Sequence, residues 1–133
     1  MERIFISNPV FNGNEKKYLM ECIDTGWVSA NGRFVTEFQK QFAEFCGSQY
    51  ALACSNGTVT LHLALIALDI KQGDEVIMPT LTYIATANAV RMCGAKPVFV
   101  DSDPDSWNID PKAIEAAITP RTKIGRASCR ERV

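Results

Sequence analysis

The sequence predicts an α/β fold built on a mostly parallel sheet flanked by helices, and three observations carry that expectation. From Tyr50 onward, short apolar runs with strand character alternate with stretches of helical periodicity. Turns rich in Ser, Thr, Asn, Asp, Gly and Pro separate them. The spacing from one strand run to the next leaves room for a helical crossover, which parallel strands require and hairpins do not.

Residues 1–49 precede this rhythm as an arm and two helices. Phe5-Ile6-Ser7-Asn8-Pro9-Val10 is expected to be extended, because the residue before a proline is biased away from helix. Asn12 and Glu15 stand at capping-box spacing, and a helix is expected over Asn14–Asp24. Leu19, Cys22 and Ile23 share one face of it, and Gly26 ends it. Trp27-Val28-Ser29-Ala30-Asn31-Gly32 then forms a loop in which Trp27 is expected to act as a packing anchor. Phe34, Val35, Phe38, Phe42, Phe45 and Cys46 recur at helical spacing before Gly47. This aromatic stripe fits either core or a dimer surface, and core is the favoured reading.

Residues 50–123 are expected to be a partial α/β domain. A strand over Tyr50–Cys54 leads through Ser55-Asn56-Gly57-Thr58 into a helix over Thr58–Leu68. A second strand, Glu75–Met78, leads through Pro79-Thr80-Leu81 into a helix over Thr82–Cys93, capped by Thr82 and stopped by Gly94. A third strand, Pro97–Val100, runs into Asp101-Ser102-Asp103-Pro104. Asp110 before Pro111 reads as the cap and first residue of a helix over Pro111–Ile118. Thr119–Lys123 heads toward a further strand that is expected to be missing, which leaves sheet edges and apolar faces open. Residues 124–133 carry three arginines without periodicity, resemble the translation of a sequencing adapter, and are expected to be a non-native tail.

The chemistry centres on Ser55-Asn56-Gly57-Thr58. The helix that follows is apolar on nearly every side and is expected to be deeply buried, yet the amides of its first turn have no intrahelical partner. Those donors and the positive end of the helix dipole suit an anion. Gly57 lets a ligand approach the backbone, and Ser55, Asn56 and Thr58 add donors suited to phosphate oxygens. Taken alone, the turn serves equally well as a plain helix cap. In a parallel sheet, however, ligands sit beyond the carboxyl ends of the strands. The turns Ser55–Thr58, Pro79–Tyr83 and Asp101–Pro104 should share that edge, which favours the phosphate reading. Tyr83 opens the next helix, so its ring can stand over whatever the phosphate cradle holds. A phosphate grip with a stacking aromatic suits a flat phosphorylated cofactor such as pyridoxal phosphate; the alternative has Tyr83 packed on its own sheet. Thr86 and Asn88 stand one and two turns on, for hydrogen bonds near the site or on the helix face. His62, the only histidine, reads as a satisfied core residue, and Asp101, Asp103 and Asp105 as a solvated turn rather than a metal site.

Composition excludes several classes. The chain has 133 residues, 47% hydrophobic and 22% charged, with a net charge of -1, an ordinary globular balance with no basic excess for nucleic acid. No apolar run is long enough to span a bilayer, and Met1-Glu2-Arg3-Ile4 does not open a signal peptide. The five cysteines, at 22, 46, 54, 93 and 129, show no CxxC spacing and fit reduced thiols in the cytoplasm.

Several stretches taken together are specific. They are Ser55–Thr58 with Leu61-His62-Leu63-Ala64-Leu65, Gly73-Asp74-Glu75-Val76-Ile77-Met78-Pro79, and Thr82-Tyr83-Ile84-Ala85-Thr86-Ala87-Asn88-Ala89. With Gly94–Asp101 and Asn108-Ile109-Asp110-Pro111, they resemble the DegT/DnrJ/EryC1/StrS family of sugar aminotransferases from about Ile6 to Lys123. Within it, Gly26-Trp27-Val28-Ser29 and Asp105–Asp110 are most similar to the GDP-perosamine synthases. The resemblance implies the large domain of a fold-type I transferase that uses pyridoxal 5'-phosphate, normally as a homodimer with active sites at the subunit interface. It further implies amino transfer from glutamate to a nucleotide-linked 4-keto-6-deoxy sugar, for surface polysaccharide or related sugar biosynthesis. Gly57 and Thr58 would hold the cofactor phosphate, Tyr83 would cover the pyridine ring, and Trp27 and Ser29 would lie on the sugar-nucleotide side. Val59 stands where many members carry a second hydroxyl or a small residue, so one phosphate contact is expected to be absent. The family's Schiff-base lysine and the aspartate that pairs with the pyridinium nitrogen both come later than residue 123. No catalytic residue is therefore assigned, and the chain alone is expected to be inactive. Two alternatives stay open: a sugar dehydratase of the same family, with histidine in place of the lysine, and a non-catalytic flavodoxin-like nucleotide-binding domain.

Overall fold

The computed structural model describes residues 7–125; Phe5 and Ile6 of the arm and residues 126–133 of the expected tail lie outside the described residues. The chain divides into two compact units, Met1–Ala53 and Cys54–Val133.

The first unit holds two helices, α1 (Glu15–Asp24) and α2 (Arg33–Cys46). The capping box is displaced. The cap is Asn14, whose backbone (φ −93°, ψ 6°) is not extended and which makes no side-chain cap bond, and Glu15 stands at the first helical position rather than the third. From there its carboxylate reaches backward only to the Gly13 amide, at 2.9 Å. The Thr25 hydroxyl closes α1 on the Glu21 carbonyl at 2.7 Å, and Gly26 follows at φ +72°. Gly47 ends α2 in the left-handed region, at φ +63°. The aromatic stripe is not core within this chain. Phe38 and Phe42 stack on each other at 5.5 Å but stay exposed, Phe45 is 87% exposed, and only Ala43 of α2 is buried. Tyr18 and Phe34, with ring centres 4.9 Å apart, occupy one end of α2 and leave the stripe uncovered among the described residues.

The second unit runs α3 (Gly57–Ala67), β1 (Glu75–Pro79), α4 (Ile84–Met92), β2 (Lys96–Val100), α5 (Pro111–Ala117) and β3 (Thr122–Gly125). Its sheet has the order β2-β1-β3, parallel throughout. Glu75 through Pro79 pair in register with Lys96 through Val100. Alternation along β1 assigns its two faces. Val76 and Met78 join Leu65, Ile70, Ala87, Ala89, Val90 and Ala95 in a core under α3 and α4. Ile77 joins Val100 and Ile109 on the other face, against Ala113, Ile114 and Ala117 of α5. Successive crossovers run in opposite directions along the sheet, so right-handedness sets α4 and α5 on opposite faces. β1 is consequently buried along its whole length. Cys93, half-buried beside this core, has its thiol pushed up by burial and stays protonated.

Three more expectations change. Residues 50–54 form no strand: an extended run becomes one only when a neighbour takes its backbone groups, and none does among the described residues. The strand after α5 is present, not missing. It includes Ile124 and Gly125, which pair with Val76 and Ile77, so two residues of the expected tail belong to the sheet. And α3 is not deeply buried, since only Leu65 is buried while Val59, Leu63 and Ile66 are exposed.

Candidate functional site

The start of α3 is a cap and an open donor set at once. Asn56 is extended, with φ −167°, and its carboxamide oxygen accepts the Val59 amide at 3.1 Å. The Thr60 amide and hydroxyl both reach the Asn56 carbonyl, each at 3.1 Å. The amides of Gly57 and Thr58 precede that first helical bond and donate to nothing among the described residues. Ser55 accepts from the Asn56 side chain at 3.3 Å, which leaves the Ser55 O–H able to donate outward. Gly57 is informative because its own fold does not require glycine. Its φ is not positive, and a Cβ there would meet nothing within 4 Å. The missing side chain leaves room beside two unused donors at the positive end of a helix, an arrangement that fits a phosphate group.

α3 leads through a short link into the first residue of β1, so its other end opens toward the edge where the strands finish. Tyr83 lies on that edge, after β1, and is the N-cap of α4 in place of the expected Thr82. The Thr82 hydroxyl instead pairs with the buried Thr86 hydroxyl at 3.1 Å, a bond within the α4 start that assigns Thr86 to structure. The ring of Tyr83 is 89% exposed, so it does not pack on its own sheet. Asn88 is exposed and His62 half-buried on α3. The Pro79–Tyr83 and Asp101–Pro104 turns meet directly. The Thr80 amide donates to the Val100 carbonyl at 2.9 Å, and the Thr80 hydroxyl reaches an Asp101 carboxylate oxygen at 3.5 Å. The third turn, Ser55–Thr58, faces the same edge by topology and has no bond to the other two among the described residues.

Beyond β2 the turn is solvated as expected, and Asp103 organises it. One carboxylate oxygen accepts the Ser106 amide at 2.7 Å, the Ser106 hydroxyl at 2.8 Å and the Asp105 amide at 3.2 Å. The Ser106 amide above all holds the Asp103 carboxyl below the usual range. Leu81, Ser102, Asp103, Pro104 and Trp107 line a shallow hollow of about 340 Å³ next to that turn. The Asp110 carboxylate caps α5 on the Lys112 amide at 2.9 Å.

Trp27 and Ser29 lie in the other unit, where they share a hollow of about 490 Å³ with Glu21, Thr25, Asn31 and Arg33. Trp27 is half-exposed there and is no packing anchor. Arg33 pairs with Glu21 at 2.6 Å and lies over the Phe34 ring. This ion pair escaped the reading of the sequence, because its members stand on different helices. Glu75 escaped it too, although a carboxylate inside the apolar run Glu75-Val76-Ile77-Met78 was a visible signal.

Known proteins share both this sequence and this fold. The GDP-perosamine synthase of Caulobacter vibrioides is 56% identical over 123 residues, which are 92% of this chain and 33% of that protein. An aminotransferase from Psychrobacter cryohalolentis superposes with a TM-score of 0.81 at 39% identity, over 90% of this chain and 30% of that one. The Bacillus subtilis protein NtdA, solved with bound cofactor PMP, gives a TM-score of 0.78 at 38% identity, over 84% of this chain and 26% of its own. The chain thus spans about a third of the length of the relatives it matches, and its three-stranded sheet is part of their fold rather than a complete flavodoxin-like domain. The sequence profile of one family extends over residues 9–125, nearly the whole described chain, and by that match the chain belongs to the DegT/DnrJ/EryC1/StrS aminotransferase family.

Proposed function

We propose that the chain is the amino-terminal third of a pyridoxal-phosphate-dependent aminotransferase acting on a nucleotide-linked 4-keto-6-deoxy sugar, with glutamate as the amino donor. The observation that carries this reading is the opening of α3: two unused amides beside a glycine that neither its backbone angle nor its neighbours demand. When bound, pyridoxal phosphate supplies the electron sink through which an amino group passes from donor to acceptor. The residues of this chain bind and orient. The Gly57 and Thr58 amides and the Ser55 hydroxyl hold the phosphate, while Asn56 stabilises the helix end that presents them. The exposed Tyr83 ring covers the pyridine ring and excludes water from that side. Trp27 and Ser29 contact the sugar nucleotide, with Asn31 and Arg33 in the same hollow as polar partners.

The lysine that links the cofactor and the aspartate that pairs with its ring nitrogen belong to the remaining two thirds of the protein. Without them the 133-residue chain has no transaminase activity. The exposed aromatic stripe of α2 supports a homodimer, and no helix among the described residues is long and apolar enough to cross a membrane, in keeping with a cytoplasmic enzyme.

Incubating the purified full-length protein with pyridoxal phosphate, glutamate and a GDP-linked 4-keto-6-deoxy sugar tests the reading. Mass spectrometry should find an amino-sugar nucleotide and an equal amount of 2-oxoglutarate. A deoxygenated sugar nucleotide would mark the enzyme as a dehydratase instead, and turnover by the 133-residue chain alone would contradict the assigned division of labour.

A further inference from the structure

We infer that Glu75 is an acid-released clasp that fixes the register of β3 on the central strand. Glu75 opens β1 at the edge opposite the phosphate site, and its side chain is only 3% exposed. Three donors from two neighbouring segments converge on it. The Thr119 hydroxyl donates to Oε2 at 2.6 Å, and Oε1 receives the Arg121 guanidinium at 2.9 Å and Lys96 Nζ of β2 at 3.3 Å. These two cations are the charged groups that meet it. Its neighbour Asp74 is engaged elsewhere, on the Lys71 amide at 3.0 Å.

The clasp sits where pairing is irregular. The Glu75 amide donates to the Arg121 carbonyl at 2.8 Å, and Glu75 faces Thr122. Val76, the next residue, faces Ile124, so a register shift falls directly beside the carboxylate. A four-residue strand that pairs only with β1 among the described residues, with a shift in its ladder, has few bonds of its own to specify alignment. Thr119 and Arg121 supply the missing specification by tying the turn before β3 to one buried carboxylate. That turn is itself closed by Thr119, whose hydroxyl accepts the Arg121 amide at 3.1 Å, and by the Thr122 hydroxyl, which accepts the Thr119 amide at 2.9 Å.

A proton on Glu75 would take the charge from its bonds to Arg121 and Lys96 and force the Thr119 hydroxyl to turn from donor to acceptor. The Thr119 hydroxyl already donates to Oε2, and Oε1 faces two cations. The Thr119 bond, then the Lys96 bond and the Arg121 charge, hold the carboxyl below its ordinary 4.5 against the opposing effect of burial. Because the folded value is lowered, the stabilisation is complete above about 4.5 and is lost as pH falls through the folded value.

Amide hydrogen exchange of the full-length protein between pH 7 and pH 3, corrected for intrinsic rates, tests the clasp. Amides of the Thr119–Thr122 turn and β3 should lose protection before those shared by β1 and β2. Their opening constant should grow as pH falls below about 4.5, the ordinary carboxyl value. Glu75→Gln should flatten that pH dependence. Thr119→Val, a milder change, raises the folded value toward 4.5, so the acid-dependent rise of the opening constant should shrink and level off at higher pH, which keeps the test intact where Glu75→Gln fails to fold. Loss of protection at β3 only together with the whole sheet would overturn the inference, as would a pH dependence whose size Thr119→Val leaves unchanged.

Discussion

The carboxamide oxygen of Asn56 accepts the Val59 amide at 3.1 Å and thereby separates the donors that hold the helix from those left for a ligand. Capping and anion binding are usually rival explanations of such a turn; at α3 they use different amides of one turn. Asn56→Ala should cost about 1 kcal/mol of stability through the lost cap. Because Gly57 and Thr58 keep their amides, cofactor affinity should fall far less than in a variant that blocks them. Paired thermal melts, with and without pyridoxal phosphate, check this.

Gly57→Ala separates folding from binding in the opposite sense. The new methyl meets no protein atom within 4 Å and the backbone angle is not left-handed, so unliganded stability should stay within about 0.5 kcal/mol. The same methyl occupies the space beside the two amides. Losing charge-assisted hydrogen bonds there should weaken pyridoxal phosphate binding about tenfold or more, measurable by spectroscopic titration of the full-length protein.

Tyr83→Ala removes a ring that is 89% exposed. Little burial is lost, and the main-chain cap of α4 is untouched because Tyr83 makes no side-chain cap bond. The melting temperature of the unliganded protein should hardly move. The absorption spectrum and affinity of the bound cofactor should change, whereas Tyr83→Phe, which keeps the ring, should preserve both.

Phe45→Glu tests the α2 stripe. At 87% exposure, Phe45 contributes little to the fold of its own unit. The substitution should leave helix content unchanged by circular dichroism, yet shift sedimentation of the full-length protein from dimer toward monomer. A dimer that sediments unchanged would remove the stripe from the interface.

What could be read from the residues alone follows the range of the interactions. Most local signals were legible, the caps at Asn12 and Thr82 being the exceptions. Gly26, Gly47 and Gly94 end helices with positive φ, and Asp110 with Pro111 starts one, because each acts through its own backbone or an amide two or three residues away. Non-local outcomes were not. Tyr50–Cys54 has strand character but no partner strand among the described residues, while Thr122–Gly125 has little apolar character of its own and becomes a strand because β1 offers it an edge. The burial of α2 and α3 depends on what covers them, which periodicity cannot report. At the candidate site, Gly57 and Tyr83 were recognisable as residue types. That Thr80 would join the two turns after β1 and β2 depended on strand register, which no spacing rule supplies.

A crystal structure of the full-length protein with pyridoxal phosphate bound shows directly whether the start of α3 holds the phosphate. Phosphate oxygens should lie within hydrogen-bonding distance of the Gly57 and Thr58 amides, with the Tyr83 ring stacked on the pyridine. A cofactor whose phosphate lies away from the start of α3, with Tyr83 still facing solvent, would contradict that placement.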